Sequence, residues 1–205
     1  MVRRQLANRG ISDRRVLAAL ATIPREHFVP EHLMDQACAD AALPAAHGQT
    51  ISQPFIVALM TQEAGLTRRT RVLEIGTGTG YHAAVLANLA SHVWTVERVP
   101  ELSAGAARRL EEIGIRNVTL VVGDGAQGHA AAAPYDAIVV AAAAPAPPPA
   151  LVQQLVDGGR LIIPIGDLAA QRLMVYRRRG EELESRDTGP CRFVPLVSPD
   201  AFAAE

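Results

Sequence analysis

The stretch Val72-Leu-Glu-Ile-Gly-Thr-Gly-Thr-Gly-Tyr81 decides how this chain folds. Its first residues predict a buried strand, and the glycine-rich turn that follows leads into a helix. Gly76, Gly78 and Gly80 permit positive φ angles and let a ligand come close to the backbone. Because ligands of open α/β sheets bind at the carboxyl ends of the strands, the turn predicts a ligand site at that edge.

From residue 70 onward, short β-branched runs alternate with helical ones. The pattern predicts strands over 72–75, 92–96, 118–122, 136–140 and 161–164, and helices over 81–89, 100–113 and 150–156. Two further strands, 172–178 and 192–197, complete the predicted sheet, and their orientation is left open as parallel or antiparallel. This alternation is typical of a doubly wound, Rossmann-like α/β fold with a mostly parallel sheet and helices on both faces.

The front of the chain predicts a helical extension. Ser12 is the expected cap of a first helix, and Pro54 opens a second one. Residues 43–54 lack periodicity and predict a loop, in which the chemistry of Ser52 alone suggests a helix N-cap or near-cap. We therefore predict one domain over 1–205, with a helical cap and active-site loop over 1–66 and a nucleoside-binding core over 67–205.

Composition excludes several classes of function. All 20 basic residues are arginines, so a mechanism through a lysine Schiff base is excluded. The net charge of −1, without a basic cluster, argues against nucleic-acid binding, and no apolar run is long enough to span a membrane. The histidines and cysteines lack zinc-ligand spacing, which argues against a metal site.

The location and assembly of the chain are predicted only from missing signals. No apolar stretch follows Met1, so we expect no signal peptide. Cys38 and Cys191 are far apart in sequence and are expected to be free thiols in a reducing cytoplasm. The even charge balance and the absence of a coiled-coil pattern make a monomer the expected state.

The spacing of the glycines argues against a dinucleotide-binding oxidoreductase. The third glycine of the dinucleotide motif would fall at position 81, which is Tyr81. Glu74 precedes the turn, and a pyrophosphate is poorly served by a neighbouring carboxylate. The ammonium and sulfonium groups of S-adenosylmethionine are instead suited to that carboxylate.

Two more acids follow the next two strands. Glu97 ends the second predicted strand, where a carboxylate can accept hydrogen bonds from both ribose hydroxyls. Asp124 follows the third strand, beside the turn residue Gly125, and is placed to accept from an adenine amino group. Together with the glycine turn, these acids predict a nucleoside site. Asp136, at the opposite end of its strand, is expected to be structural, and His82 is expected to be partly exposed and not catalytic.

These motifs resemble the protein-L-isoaspartate O-methyltransferase family. The resemblance covers nearly the whole chain and is carried by Ile23-Pro-Arg-Glu-His-Phe-Val-Pro30, Gly48-Gln-Thr-Ile-Ser-Gln-Pro54, the glycine turn, Thr95-Val-Glu-Arg98, Gly123-Asp-Gly125, Ala142-Ala-Ala-Pro145 and Phe193-Val-Pro-Leu196. It implies methylation of the free carboxylate of L-isoaspartyl, and also D-aspartyl, residues in damaged proteins. The ester then collapses to a succinimide, whose hydrolysis returns some normal aspartate.

The resemblance also implies roles for residues. Ser52 matches the active-site serine of the family. The residues expected to bind S-adenosylmethionine, with S-adenosylhomocysteine as product, are Thr50, Ile51, Ser52, Glu74, Gly76, Thr77, Gly78, Gly80, Glu97, Asp124 and Gly125. An acceptor carboxylate is already ionised at neutral pH, so alignment by hydroxyls such as those of Thr50 and Ser52, with exclusion of water, replaces a general base.

The chain departs from the family pattern at a few positions. Ala45 and Ala46 stand where the family usually has Ile-Gly, Cys38 replaces a common tyrosine, and Ala141 replaces a threonine. The changes at Ala45, Ala46 and Ala141 favour a second hypothesis, a related carboxyl methyltransferase that acts on aspartate in a dedicated peptide or protein. A nucleoside-binding module without catalysis is a third hypothesis, which the presence of Glu97, Asp124 and Ser52 disfavours.

Overall fold

The structure is a computed structural model that describes residues 1–203. Residues 204 and 205 of the predicted core lie outside the described residues. The α-helices are α1 (Arg14–Thr22), α2 (Pro54–Ala64), α3 (Tyr81–Leu89), α4 (Pro100–Glu112) and α5 (Pro149–Gln153). The strands are β1 (Leu43–Pro44), β2 (Thr50–Ile51), β3 (Arg71–Ile75), β4 (His92–Glu97), β5 (Val118–Val122), β6 (Tyr135–Val140), β7 (Leu155–Gly166), β8 (Gln171–Arg179) and β9 (Glu182–Cys191).

Short helical turns connect these elements. A π-helical turn covers Val2–Leu6, and 3₁₀ turns cover Ala7–Arg9, Arg25–Phe28, Glu31–Gln36, Ala46–Gly48, Gly125–Gln127 and Ala130–Ala132. No described helix is long and apolar enough to cross a membrane.

The main sheet has seven strands in the order β5-β4-β3-β6-β7-β8-β9. The strands from β5 to β7 are all parallel to their neighbours, whereas β7, β8 and β9 form an antiparallel meander. The order reverses at β3, from which the chain builds outward first through β4 and β5 and then through β6. The prediction of a doubly wound, mostly parallel sheet is confirmed.

Helices cover both faces of the sheet, and each face has its own apolar core. One core joins α1, α2 and α3 to the sheet, through residues such as Leu20, Met60 and Leu86. The other core packs α5 and the 3₁₀ turn that contains Ala126 against Ile138 and Leu161. The central strands are buried on both sides, which explains why they are continuous apolar runs in the sequence.

The last part of the sheet differs from the prediction. The strand predicted over 192–197 is wrong, because that segment makes only isolated bridges, one of them between Pro195 and Ala143. The last strand of the sheet is instead β9, which the sequence did not predict. Most of its side chains are exposed, so an edge strand of this kind carries no apolar alternation that would reveal it.

Three local predictions also need correction. The helix predicted over 150–156 ends at Gln153, because Leu155 already pairs with Tyr135 and β7 bulges before Arg160 pairs with Ala137. The cap of α1 is Asp13, whose carboxylate accepts from Arg15 N at 2.8 Å, and not Ser12. Of the two positions predicted for Ser52, the N-cap is wrong because Gln53 occupies it, and Ser52 lies at the near-cap position directly before it without a capping bond. The structural role of Asp136 is confirmed, since it accepts from Arg71 N at 2.7 Å.

Candidate active site

A cavity of about 880 Å³ opens at the carboxyl ends of β3 and β4. Its floor is the glycine turn, one wall is the loop 48–53, and the facing wall is the segment 190–197. The cavity therefore lies where the strand order reverses, at the edge that the sequence predicts.

The glycine turn has the conformation that its sequence predicts. Gly76, Gly78 and Gly80 have φ angles of 89°, 53° and 92°, a region that residues with a side chain rarely adopt. Gly80 also lies against α4, because a Cβ there would come within 3.1 Å of the Ala106 Cβ. Glycine is thus required for backbone conformation, and at Gly80 for close packing as well.

Glu97 holds this turn from the end of β4. Its Oε2 accepts from Gly78 N at 2.9 Å, and its Oε1 accepts from Val99 N at 3.0 Å. The side chain lines the cavity and is only 6% exposed. A carboxylate has about four lone-pair positions, so two remain for the hydroxyls of a bound ribose.

Asp124 is held in a similar way, but it does not line the cavity. Its Oδ1 accepts from Ala126 N at 2.9 Å, and its Oδ2 accepts from the Ser198 hydroxyl at 2.7 Å. Sequence reasoning missed Ser198, since nothing in the pattern indicates a contact between residues so far apart in the chain.

Gly125 is needed for a close approach between segments. A Cβ on Gly125 would lie 2.3 Å from the Ile75 Cγ2 and 3.3 Å from the Leu196 Cδ1. Both Ile75 and Leu196 line the cavity, so the absence of a side chain at 125 lets the end of β3 and the 190–197 wall meet there.

Glu74 lies beneath the turn in a buried polar chain. It is fully buried, and its Oε2 accepts from the Thr95 hydroxyl, which is 2.7 Å from the Thr77 hydroxyl. Its Oε1 has no hydrogen-bond partner among residues 1–203 and lies 3.9 Å from His82 Nδ1. Burial raises the pKa of Glu74 to about 8, with a smaller opposing effect from the Thr95 hydrogen bond.

His82 corrects the expectation of a partly exposed side chain, because it is only 8% exposed. Its Nε2 is 3.1 Å from the Thr61 hydroxyl, and that hydroxyl donates to Val57 O at 2.7 Å. Thr61 therefore has no proton left to donate to the ring, so Nε2 is the donor and Nδ1 faces Glu74 unprotonated. Burial lowers the pKa of His82 to about 4.

The loop that carries Ser52 is fixed by a small hairpin and by polar contacts. β1 and β2 pair antiparallel, with Leu43 opposite Ile51. The Gln53 side chain donates to the carboxylate of Asp40 at 2.8 Å, and Asp40 also pairs with Arg9 at 2.7 Å. Ser52 lines the cavity, and its hydroxyl makes no hydrogen bond to any residue of the described chain.

The cavity brings together most of the predicted site residues. Those that line it are Thr50, Ile51, Ser52, Gly76, Thr77, Gly78 and Glu97. Those outside its lining are Glu74, Gly80, Asp124 and Gly125. Among the departures from the family pattern, Ala141 lines the cavity, whereas Ala45 and Ala46 do not.

The predicted set omitted the far wall of the cavity. Phe193, Val194 and Leu196 line it, and backbone hydrogen bonds with Ala143 hold the segment in place. The Phe193-Val-Pro-Leu196 motif was the signal that could have placed these residues in the site. Among residues 1–203, no group of three or more His, Cys, Asp or Glu side chains could hold a metal ion.

Comparison with known proteins agrees with this geometry. The model of the protein-L-isoaspartate (D-aspartate) O-methyltransferase family matches residues 1–201. The chain belongs to this family. A protein-L-isoaspartate O-methyltransferase from Protochlamydia amoebophila is 50% identical over 204 residues, which cover 98% of this chain and 97% of the relative.

Solved structures of the same family have the same fold. One protein-L-isoaspartate O-methyltransferase superposes with a TM-score of 0.88 at 32% identity, covering 98% of this chain and 67% of the other. A Plasmodium falciparum protein assigned to the family, in complex with S-adenosyl-L-homocysteine, superposes with a TM-score of 0.81 at 25% identity and covers 96% of both chains.

Glu74 predicts a specific dependence of stability on pH. Its pKa is about 8 in the folded chain and near 4.5 when unfolded, so ionisation favours the unfolded state between these values. His82 has the opposite effect, but only between pH 6.5 and about 4, where the unfolded chain takes up a proton first. We expect the free energy of unfolding to fall between pH 6.5 and 8, by at most about 1.4 kcal/mol per pH unit.

Denaturant unfolding at several pH values checks this expectation. Glu74→Gln should remove the fall in the free energy of unfolding between pH 6.5 and 8, because position 74 then carries no ionisable group. Glu111→Gln, an exposed position on α4, should keep the wild-type slope. A wild-type curve that is flat over this range would mean that Glu74 is already ionised in the folded chain.

Gly125→Ala tests the close packing beside the cavity. The added Cβ overlaps Ile75, so we expect a loss of about 1–3 kcal/mol in the free energy of unfolding and weaker binding of S-adenosylhomocysteine. Gly123→Ala is the matched control, since a Cβ there meets its nearest neighbour, the Val96 Cγ1, at 3.9 Å. Calorimetry and denaturant unfolding measure both effects, and equal behaviour of the two variants would contradict the packing argument.

Proposed function

We propose that this chain transfers a methyl group from S-adenosylmethionine to the free carboxylate of L-isoaspartyl residues, and of D-aspartyl residues, in damaged proteins or peptides. The ester starts repair through a succinimide. The observation that carries the proposal is the family match over residues 1–201, together with a cavity in which the Ser52 loop faces the glycine turn.

The chain's own residues fit the methyl donor. Glu97 has free lone pairs for the ribose hydroxyls. Asp124 lies outside the cavity lining, so its proposed bond to the adenine amino group rests on the family resemblance. At Gly76 and Gly78 the turn offers backbone without side chains to a ligand, and Thr77, Thr50 and Ile51 line the same cavity. Glu74 has one oxygen beneath the turn that is unpartnered within the described chain. Its raised pKa keeps it largely protonated at neutral pH in the chain alone, and a positively charged donor bound nearby would favour its ionised form.

The acceptor needs orientation and not proton removal. A carboxylate with an ordinary pKa near ~4 is already a nucleophile at neutral pH. When bound, S-adenosylmethionine supplies an electrophilic methyl carbon, to which the carboxylate oxygen forms a C–O bond as the C–S bond breaks and its electron pair stays on sulfur. The Ser52 hydroxyl, free of other partners, donates to the acceptor carboxylate, and Thr50 on the same wall supports it.

The second hypothesis, a carboxyl methyltransferase with a dedicated aspartyl substrate, is not favoured. Relatives that are about half identical over nearly the whole chain are named for isoaspartate. We further propose that the chain acts as a monomer in the cytoplasm, with the 1–66 cap and the 67–205 core forming one domain. We also propose that it needs no metal and has no nucleic-acid or membrane partner. The near-neutral net charge and the free thiols of Cys38 and Cys191 support this proposal.

Methyl transfer to paired peptides tests the function. Two peptides that differ only in an isoaspartyl or a normal aspartyl residue are incubated with labelled S-adenosylmethionine, and base-labile label is counted. We expect labelling of the isoaspartyl peptide alone. Labelling of neither peptide, with S-adenosylhomocysteine still bound, would overturn the isoaspartyl assignment and favour a dedicated partner substrate.

Ser52→Ala tests the proposed role of the hydroxyl. A hydrogen bond to a charged group contributes about 1.5–3 kcal/mol, so we expect kcat/KM for the isoaspartyl peptide to fall about 10- to 100-fold. Binding of S-adenosylhomocysteine, measured by calorimetry, should change little. Wild-type kcat/KM in this variant would show that Ser52 does not orient the acceptor.

A further inference from the structure

Arg25 is a buried cation without a carboxylate partner. It is only 1% exposed and is among the largest fully buried side chains of the described chain. None of the ion pairs found within residues 1–203 includes it. A guanidinium stays charged inside a protein, and an unpaired buried charge costs several kcal/mol in lost hydration. An arginine kept in the interior at such a cost in stability is expected to have a function.

Two of the three contacts of Arg25 are with residues that line the cavity, Ser52 and Tyr81. Nη2 donates to the backbone oxygen of Ser52 at 3.0 Å, and Nη1 donates to the backbone oxygen of Ala37. The guanidinium carbon also lies 5.6 Å from the ring centroid of Tyr81, which begins α3 directly after the glycine turn. The Arg25 side chain therefore contacts both the loop 48–53 and α3, the helix that follows the glycine turn.

The two bonds form a fork that only arginine can supply. The guanidinium is planar and presents donors in fixed directions, so it sets the distance between two backbone oxygens that lie in different segments. Ser52 is held by its carbonyl oxygen, whereas its hydroxyl has no bond within the described chain. Fixing the carbonyl constrains the backbone at Ser52 and therefore the position of the Cβ atom from which the hydroxyl extends.

We propose that Arg25 is a positioning residue for methyl transfer, acting through the backbone of Ser52 to aim the serine hydroxyl at the acceptor carboxylate. The inference rests on the proposed role of Ser52. Arg25 does not line the cavity, so its proposed effect is exerted through Ser52. Its loss should therefore affect the use of the acceptor and leave the affinity for the donor unchanged.

A double-mutant cycle tests the proposal. The variants are Arg25→Lys, Arg25→Met, Ser52→Ala and the combinations, and kcat and KM are measured with the isoaspartyl peptide. Arg25→Lys keeps the charge but not the fork, so we expect both Arg25 variants to lose about 10-fold in kcat/KM, with S-adenosylhomocysteine affinity within about twofold of wild type. In the Ser52→Ala background, the Arg25 changes should add less than about twofold.

Arg160→Met is the matched control. Arg160 also donates to a backbone oxygen, that of Glu63 at 2.8 Å, but at the far end of α2 and outside the cavity lining. We expect it to lower thermal stability and to leave kcat/KM near the wild-type value.

Each outcome has a separate meaning. Additive effects of Arg25 and Ser52 changes, or loss of donor affinity together with activity in both Arg25 variants, would overturn the positioning role and make Arg25 a general support of the fold. Wild-type activity in Ser52→Ala would instead contradict the proposed function of the serine itself, before Arg25 is considered.

Discussion

The hydrogen bond from Gly78 to the Glu97 carboxylate is the contact on which the cavity depends. It joins the turn after β3 to the end of β4, and it forms because glycine can adopt the φ angle of 53° at that position. A second bond from Val99 N fixes the other carboxylate oxygen. The carboxylate is therefore oriented before any ligand arrives, which lowers the entropy that binding must remove.

The loop 48–53, the proposed acceptor side of the cavity, is ordered by a different kind of interaction. The loop before α2 has only a two-residue pairing of its own, and it is held by polar side chains from the N-terminal extension. Gln53 and Arg9 both bind the carboxylate of Asp40, and Arg25 binds the backbone oxygen of Ser52. The bonds of Gln53 and Arg9 are exposed, whereas Arg25 holds the backbone of Ser52 from the buried side of the loop.

The central part of the fold could be predicted because its residues obey simple periodic rules. β3, β4 and β5 are apolar or β-branched runs, and the glycines of the turn permit the positive φ angles that the structure shows. β9 could not be predicted, because a solvated edge strand has no buried face to leave a pattern. The site was harder still. The burial of His82 depends on how α2 packs beside α3, and the bond between Ser198 and Asp124 depends on the path of the final segment, neither of which is local information.

The two facing walls of the cavity come from distant parts of the chain, 48–53 and 190–197. The segment 190–197 follows β7, β8 and β9 in sequence and then returns to pair with Ala143. On a ribosome, the glycine turn, Glu97 and Asp124 would emerge long before that segment. A nascent chain would therefore contain the glycine turn early, whereas the cavity is complete only after residues 190–197 have been synthesised.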